Sequence, residues 1–558
     1  MITDTVERKN TWASNTIFVV VSALVAVFGS IIGVQLIAQL GITPNTSIIG
    51  VLVAIIIARI PLGWFRQFRD VHTQNLVQTT MSAATFGAAN SLLLPIGIPY
   101  ALGMPNLVWP MLIGSGIALA IDVFIFYKVF DSRLFSANES WPVGVATAEA
   151  LKAGDSGGKK AGLLGLGILL GLAGSYLGVS MSAFGVAFIG NIWALSFFGF
   201  GLLTSGYAEP LFGIDIAAEY IPHGMMIGAG MVALGQFIFI LVRKGDKTGK
   251  SNSTNSIPGA STHEQSEESA PLESGSSRSL QSVGRGEPTR TERGVRRTFV
   301  VGSALYMLGA LILAAAGGIL TQMNALQIVI FVLFAAVATF ASEVIVGIAA
   351  MHSGWFPAFA VTLIMLIIGL LIGFPQAALA LLTGYVAATG PAFADMGYDF
   401  KTGALIRRGV PIEQELYGRR QQLKAGIIGF VVAFVVVALA HDSLFAQNLF
   451  PPVDKVFATT IETGVTGSVG LKLLLWAIPG GIVQLIGGPK CQVGIMFATG
   501  LLIVNPVAGW AVITGIILRI IVAAVWGQKA ESTTYTLAAG FIAGDALFNF
   551  FSSIWKAR

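Results

Sequence analysis

Cysteine and charge are both scarce in this sequence of 558 residues. The single cysteine, Cys491, cannot form an internal disulfide, and no Cys or His pattern suggests a structural metal. Charged residues make up 11% of the chain, whereas ordinary globular domains carry about 25%. A chain with so little charge is predicted to lie in a membrane.

Motifs for catalysis and for nucleic-acid binding are missing as well. No GxxxxGK(S/T) segment is present to bind a nucleoside triphosphate, and the five histidines are too scattered to form a metal motif such as HExxH. The net charge is only +5, and ten of the basic residues fall within 243–297. We therefore expect no nucleic-acid partner, no cofactor, no bound metal and no enzymatic activity.

Long apolar runs are what the sequence has in abundance. Hydrophobic residues make up 54% of the chain, and the mean hydropathy is +0.78. Runs of about 20 residues can span a hydrocarbon layer of roughly 30 Å, and we count seven before residue 243 and nine after residue 297. The pattern predicts an all-α, polytopic integral membrane protein with about 14–16 transmembrane helices.

A polar stretch divides the chain into two halves. Residues 243–297 are rich in Ser, Thr, Gly and Glu, which is typical of a disordered linker between halves at 1–242 and 298–558. Its basic ends, together with Arg66 and Arg69, predict a cytoplasmic linker and N-terminus in a cell membrane. Seven crossings would place the linker outside, so the stretch 139–153 is predicted to be a missed crossing or a re-entrant run.

The two halves also share a weak internal repeat. The segment starting at Pro142 resembles the one starting at Pro452, and the segment starting at Ala229 resembles the one starting at Ala539. Both pairs are 310 residues apart. This shared offset favours a duplicated transporter scaffold, in which binding sites lie where the repeats meet and helices break.

Four acidic residues interrupt apolar runs, where an ionisable group costs about 2.5–3.5 kcal/mol or more and often marks a transport path. They are Asp122, Glu149, Glu343 and Asp545. For Asp122, near the end of its run, a side chain that reaches the interface is the favoured interpretation. For Glu149 and Glu343, a transport role and a buried structural pair are equally favoured.

A denser polar cluster, FADMGYDFKTG, contains Asp395, Asp399 and Lys401. Four-residue spacing places both aspartates on one face of a helix, where two negative charges repel and proton uptake is favoured. Lys401 could instead neutralise one of them. The spacing alone favours a simpler interpretation, a capped helix end that leads into a cytoplasmic loop.

Uncharged polar side chains are concentrated at the start of another apolar run. In HTQNLVQTTMSAA at 72–84 we single out Gln74, Asn75, Gln78 and Thr79. Amides and hydroxyls at membrane depth need hydrogen-bond partners. They either cross-link helices or line a wet cavity that binds peptide-like groups.

Four segments together resemble one known family. They are NLVQTTMSA at 75–83, WPVGVATAEALKAG at 141–154, ADMGYDFKTGALI at 394–406 and AAGFIAGDAL at 538–547. They are similar, in order, to the Asn-x-x-Gln-Thr-x-x-Ser, (Phe/Trp)-Pro-x-Gly-x-Ala-x-Ala-(Glu/Asp), Ala-Asp-Met-x-x-Asp-(Leu/Phe)-Lys-Thr-Gly and Gly-x-Ile-Ala-Gly-(Glu/Asp)-x-Leu segments of the oligopeptide transporter family. The compact form resembles its prokaryotic and yellow-stripe-like branch.

The resemblance implies a secondary transporter of about sixteen helices, built by duplication, that imports small peptides or metal chelates together with protons. The Asn-Pro-Gly and Ile-Pro-Pro-Arg motifs of the peptide-transporting eukaryotic branch are absent, so a siderophore-like or nicotianamine-like chelate is as plausible a substrate as a peptide. A passive channel is the alternative, and a membrane-embedded enzyme is a weaker one. The expected partners are the substrate, protons and the lipid bilayer. Association of the chain into a homo-oligomer is a further possibility.

The family resemblance, together with the residue patterns, assigns expected roles to the polar residues described above. For substrate binding we predict Gln74, Asn75, Gln78, Thr79, Glu149 and Glu343. For proton coupling we predict Asp395, Asp399, Lys401 and Asp545.

Overall fold

Helices account for nearly all regular structure in the computed structural model, which describes residues 16–40, 46–156, 158–243, 288–354, 357–464, 467–527 and 531–556. Residues 1–15 and most of the predicted linker, 244–287, lie outside these ranges. The first half contains α1 (Thr16–Leu40), α2 (Thr46–Ala58), α3 (Val71–Phe86), α4 (Leu94–Ala101), α5 (Val108–Val129), α6 (Pro142–Ser156), α7 (Gly158–Tyr176), α8 (Met181–Ile189), α9 (Ile192–Phe212) and α10 (Ile221–Arg243).

The second half is built in the same way. It contains α11 (Glu292–Ala316), α12 (Ala325–Ser353), α13 (Ala358–Ile372), α14 (Gln376–Ala387), α15 (Pro391–Ile406), α16 (Ile412–Ala446), α17 (Pro452–Thr463), α18 (Gly467–Cys491), α19 (Val493–Leu502), α20 (Pro506–Trp526) and α21 (Glu531–Lys556).

The predicted all-α, polytopic fold class is confirmed. Within the described residues, nine helices are long and apolar enough to cross a membrane, and four shorter apolar helices of 10–17 residues accompany them. Large apolar side chains remain exposed on the outer helices, among them Leu439 and Ile486. Exposed leucine and isoleucine are what a helix that faces lipid tails requires.

Two of the long spans differ from the others because they are interrupted and almost wholly buried. The most apolar part of Val71–Ala101 is 100% buried and that of Gln376–Ile406 is 94% buried, against 33% for Pro506–Trp526. The first span has a π-helical segment, Gly87–Leu93, between α3 and α4. The second breaks before Pro391, where Gly390 has a φ of 89° that favours glycine. The interior of the bundle is therefore formed around two broken helices, one from each half.

The repeat inferred from the sequence corresponds to five helices in each half. α6 begins at Pro142 and α17 at Pro452, 310 residues later, and α10 and α21 begin at Ile221 and Glu531, again 310 residues apart. The packing is exchanged between the halves. α7 packs closely on α21, and their counterparts α18 and α10 pack on each other in the same way.

The stretch 139–153, predicted to be a missed crossing or a re-entrant run, lies largely in α6. α6 has 15 residues, which at about 1.5 Å per residue gives roughly 22 Å, less than the thickness of the hydrocarbon layer. Its counterpart α17 has 12 residues. Both halves therefore contain a short helix that starts at a proline.

Glycines allow the closest contacts between the halves. Gly167 and Gly171 of α7 lie against Gly540 and Gly544 of α21, so that a Cβ on Gly171 would stand 3.0 Å from the Cα of Gly544. The segment GLLGLGILLGLAGSYLG at 162–178 has the spacing of small residues that lets membrane helices approach closely.

Candidate functional site

The two broken helices meet through a pair of matched hydrogen bonds. Gln78 Nε2 donates to Asp399 Oδ1 at 2.7 Å, and one helical turn away Ser82 Oγ donates to Asp395 Oδ1 at 2.6 Å. Residues 78 and 82 are four apart on α3, and residues 395 and 399 are four apart on α15. α3 and α15 therefore run antiparallel, and one polar face of each lies against the other.

Both carboxyl groups of this pair are fully buried. The side chains of Asp395 and Asp399 are 0% exposed, and the Oδ2 atom of each has no hydrogen-bond partner among the described residues. The interpretation of a capped helix end in a cytoplasmic loop is wrong, because the aspartates lie inside α15, against α3. Each carboxyl group keeps one free oxygen that could accept a hydrogen bond or bind a proton.

Further hydroxyl and amide groups extend the cluster. Ser47 Oγ of α2 lies 2.8 Å from Ser82 Oγ. Gln422 of α16 donates from Nε2 to the backbone oxygen of Asp399 at 2.7 Å and to Thr79 Oγ1 at 3.4 Å. Gln422 was not among the residues predicted from the sequence, although it stands at the head of an apolar run as the amides of α3 do.

The four polar residues predicted on α3 separate into two groups. Gln78 and Thr79 belong to the carboxyl cluster, and Asn75, one turn before them, is 0% exposed with no partner for either side-chain amide atom in the described part of the chain. Gln74 points elsewhere: its Nε2 donates to the backbone oxygen of Arg69 at 3.3 Å. It lines a cavity of about 300 Å³ with Arg59, Arg69 and Asp155 among the other lining residues.

Lys401 does not join the aspartate pair. Its ammonium group donates at 2.7 Å to the backbone oxygen of Ala137 and, at the same distance, to that of Glu139. The side chain is 6% exposed. A residue two positions after Asp399 projects from a different face of the helix, and there Lys401 ties α15 to the loop before α6.

A buried ion-pair cluster continues from the carboxyl site. Gln422 accepts from Arg407 at 2.8 Å, and Arg407 pairs with Glu415 at 2.9 Å. Glu415 also pairs with Arg419 at 3.3 Å, and Arg419 with Asp131 at 3.4 Å. A continuous series of contacts therefore runs from the backbone oxygen of Asp399 through the side chain of Gln422 to Asp131.

The residues just before α11 are attached to the same cluster. Thr289 Oγ1 donates to Asp131 at 2.7 Å, and Arg290 donates to the backbone oxygen of Tyr127 at 3.0 Å. Burial, together with the nearby charge of Arg419, lowers the pKa of the Arg290 guanidinium. The C-terminal end of the predicted linker is thus fixed to the transmembrane bundle.

Glu343 lies in a second buried polar cluster, apart from Asp395 and Asp399. Tyr306 donates from its hydroxyl to Glu343 Oε1, and Tyr385 donates to the backbone oxygen of Tyr306 at 3.1 Å. The Asp122 carboxyl faces Glu343 and is 0% exposed. The interpretation of Asp122 as a side chain reaching the interface is wrong, since helix α5 turns it inward onto α12, a contact that hydropathy cannot reveal.

The remaining two predicted residues lie at helix contacts away from both clusters. Glu149 of α6 pairs with Lys152 at 3.3 Å, and its carboxyl is 19% exposed. Asp545 accepts from the hydroxyl of Ser175 and from the backbone N–H of Ser182 at 3.1 Å, near the start of α8. The Asp545 contacts join α21 to α7 and α8, and Thr536 of α21 donates to Glu149 at 3.5 Å. The structure does not bring Glu149 or Asp545 to the aspartate pair.

Comparison with known proteins completes the description of the site. A family model described as OPT oligopeptide transporter protein matches residues 14–242 and 213–556. The comparison with curated proteins gave no match. The family match extends over both halves and includes all four sequence segments and both broken helices. The chain is therefore a multi-pass membrane protein that belongs to the OPT oligopeptide transporter family.

Proposed function

We propose that this transporter is a proton-coupled importer of small peptides or metal chelates. The observation that carries the proposal is the pair Asp395 and Asp399, two fully buried carboxyl groups that meet uncharged donors where the two broken helices cross. An ionised carboxylate at this depth is costly unless it is paired. No lysine or arginine contacts either carboxylate in the described ranges, so a proton is the cation that these groups take up most readily.

The geometry supports coupling because the same carboxyl oxygens join the two halves. Gln78 and Ser82 belong to the first half, and their acceptors on Asp399 and Asp395 belong to the second. Protonation weakens a carboxyl group as an acceptor, since hydrogen bonds to a charged group are stronger than those to a neutral one. Loading and release of a proton would thus change how strongly the halves hold each other, as alternating access requires.

The substrate site is proposed beside this pair, on the amide face of α3. Asn75 offers one amide donor and one acceptor without a described partner, and Gln78 keeps a free Oε1. Peptide groups and chelator carboxylates can both pair with such atoms. All of these side chains are closed off from solvent in this structure, so substrate access requires the halves to move.

Purified protein in liposomes provides the test. We expect an inward proton gradient to drive accumulation of either trialanine or an iron–nicotianamine chelate. Asp399→Asn should abolish accumulation while exchange of substrate across the membrane persists. Asp442→Asn, which changes an exposed carboxyl group, is the matched control. If substrate flux through the wild-type protein is independent of the proton gradient, the protein is a passive channel. Chemical conversion of the substrate would indicate an enzyme.

The orientation is part of the same proposal. Basic residues gather at one end of the bundle, at Arg407, Arg408, Arg419 and Arg420, and Arg419 contacts Thr289 before α11. We assign this end to the cytoplasm of a cell membrane, in agreement with the positive-inside bias. The test uses single cysteines placed at residue 250 or at residue 214 in a Cys491→Ala background. A reagent added outside intact cells should label the cysteine at residue 214 and leave the one at residue 250 unlabelled.

A further inference from the structure

A second pair of buried carboxyl groups lies at the other end of α15 from Lys401. Asp122 comes from α5 in the first half and Glu343 from α12 in the second half. The Asp122 carboxyl faces the Glu343 side chain and the backbone at Gly390 and Phe393. The pair therefore adjoins the break that separates α14 from α15.

Among the described residues, several oxygen atoms at the pair lack a hydrogen bond of ordinary geometry, although the two carboxyl groups face each other. Tyr306 donates to one oxygen of Glu343. Within the described residues, both oxygens of Asp122, the second oxygen of Glu343 and the hydroxyl of Ser342 have no hydrogen bond of ordinary geometry. Ser342 is 0% exposed, and a Cβ built on Gly390 would stand 3.4 Å from its Oγ. An unpartnered hydroxyl therefore lies at the same break as the acids.

In the part of the chain that the structure describes, the charged and titratable groups around the pair do not include a base. Tyr306 of α11 and Tyr385 of α14 face Glu343, and the nearest acid on α15 is Asp395, beyond Phe393. Among the described residues, no lysine, arginine or histidine interacts electrostatically with either carboxyl group. Two adjacent carboxylates cannot both ionise readily without a cation, and one proton shared between them removes the repulsion.

The position of the pair relates it to the Asp395–Asp399 site. At about 1.5 Å per residue, Asp395 lies roughly 7.5 Å along the helix from Gly390, and Asp399 roughly 6 Å further. Three sites with carboxyl groups therefore follow one another from the break before α15 into the helix: the Asp122–Glu343 pair, then Asp395, then Asp399. The first, like the other two, joins a helix of the first half to a helix of the second.

We propose that Asp122 and Glu343 form a second proton-binding site, which takes up and releases its own proton in each transport cycle. The proton adds to a carboxylate oxygen to form a carboxylic acid that the partner carboxylate accepts, and it leaves when the halves separate the two groups. The inference rests on the proposed proton-coupled import. It adds one proton per substrate to those carried by Asp395 and Asp399.

Infrared difference spectroscopy on the full-length purified protein tests the site with protons alone as the probe. Spectra recorded between acidic and neutral pH should contain a carboxylic-acid band that both Asp122→Asn and Glu343→Gln remove. Glu219→Gln, which changes an exposed carboxyl group in a surface ion pair, should keep the band. If each single variant removes a different band, or neither removes one, the shared site is ruled out. A band that shifts with sodium at constant pH would assign the site to sodium and overturn the proposal.

A second measurement separates this inference from the proposed function. The reversal potential of trialanine or iron–nicotianamine transport in liposomes reports the number of protons carried per substrate molecule. Glu343→Gln should lower this number by one while accumulation continues. An unchanged ratio in a folded Glu343→Gln variant would overturn the second site and leave coupling at Asp399 intact. A wild-type ratio of zero would instead overturn proton coupling itself. Thermal unfolding of each variant identifies those that are folded.

Discussion

Asn75 and Gln78 lie on one face of α3, but within the described part of the chain only the side chain of Gln78 has a hydrogen-bonded partner. Gln78 donates to Asp399, whereas neither amide atom of Asn75 has a partner among the described residues. Asn75→Ala should therefore raise the substrate concentration needed for half-maximal uptake several-fold and leave thermal stability nearly unchanged. Gln78→Ala should lower both affinity and stability, because it leaves a buried carboxyl oxygen without its donor.

Uptake kinetics and a thermal unfolding midpoint measure the two effects. Gln447→Ala, at the exposed end of α16, serves as the control for loss of an amide. If Asn75→Ala lowers the unfolding midpoint while affinity holds, the amides of α3 cross-link helices and do not line a substrate cavity.

The contacts of Lys401 predict a role in stability, whereas its position in the sequence next to Asp395 and Asp399 predicts a role in proton coupling. Its ammonium group holds two backbone oxygens in a nearly closed environment, and a hydrogen bond from a charged donor contributes about 1.5–3 kcal/mol. Lys401→Gln should thus destabilise the protein and reduce the amount in the membrane. The pH dependence of uptake by the folded fraction should stay that of the wild type. A shifted pH optimum at normal stability would restore Lys401 to the coupling site.

Single residues show where inference from the sequence stops. Helical spacing correctly placed Asp395 and Asp399 on one face, because periodicity is a local property. Their donors Gln78 and Ser82 are more than 300 residues away in the sequence, so no local pattern could identify the pairing. The contacts of Lys401 could not be deduced for the same reason, since its acceptors at Ala137 and Glu139 lie in a distant loop.

At the scale of helices, the contact of α7 with α21 depends on glycine. A Cβ on Gly544 would stand 2.7 Å from the Cα of Gly171, on a backbone that cannot move aside cheaply. Gly544→Ala should therefore lower the unfolding midpoint and the yield of folded protein. Gly165→Ala is the matched control on α7, because a Cβ there meets nothing within 4 Å. It should be neutral or stabilise by up to about 1 kcal/mol through its higher helix propensity.

The outcome can be read from detergent-purified protein by thermal unfolding. Equal effects of Gly544→Ala and Gly165→Ala would show that the close approach of the two helices is not needed for stability. The sequence indicated this contact only in part. The glycine spacing on α7 was visible, whereas its partner α21 could not be deduced without the three-dimensional arrangement.

For the whole molecule, the linker provides the clearest prediction. Its central part lies outside the described residues, and its composition is too polar to bury an apolar core. Because loop-closure cost changes slowly with loop length, deletion of residues 251–285 should leave uptake unchanged. The deletion stops short of Thr289, which is bonded to Asp131. A shortened protein that reaches the membrane but no longer transports would show that the linker regulates transport.

The overall architecture was the most predictable level. Hydropathy indicated an all-α membrane protein, and the 310-residue offset indicated duplication, because both are properties of long stretches. Burial of Asp122 was not predictable in this way. Hydropathy measures how apolar a run is along the chain and does not report which side of a helix faces lipid and which faces Glu343.

The exchanged packing of α7 with α21 and of α10 with α18 has a consequence for biosynthesis. A ribosome completes α7 and α10 long before α18 and α21 exist, so the glycine stripe of α7 must first face lipid or a chaperone. Two fragments divided within the linker should accordingly be short-lived when each is made alone and survive when made together.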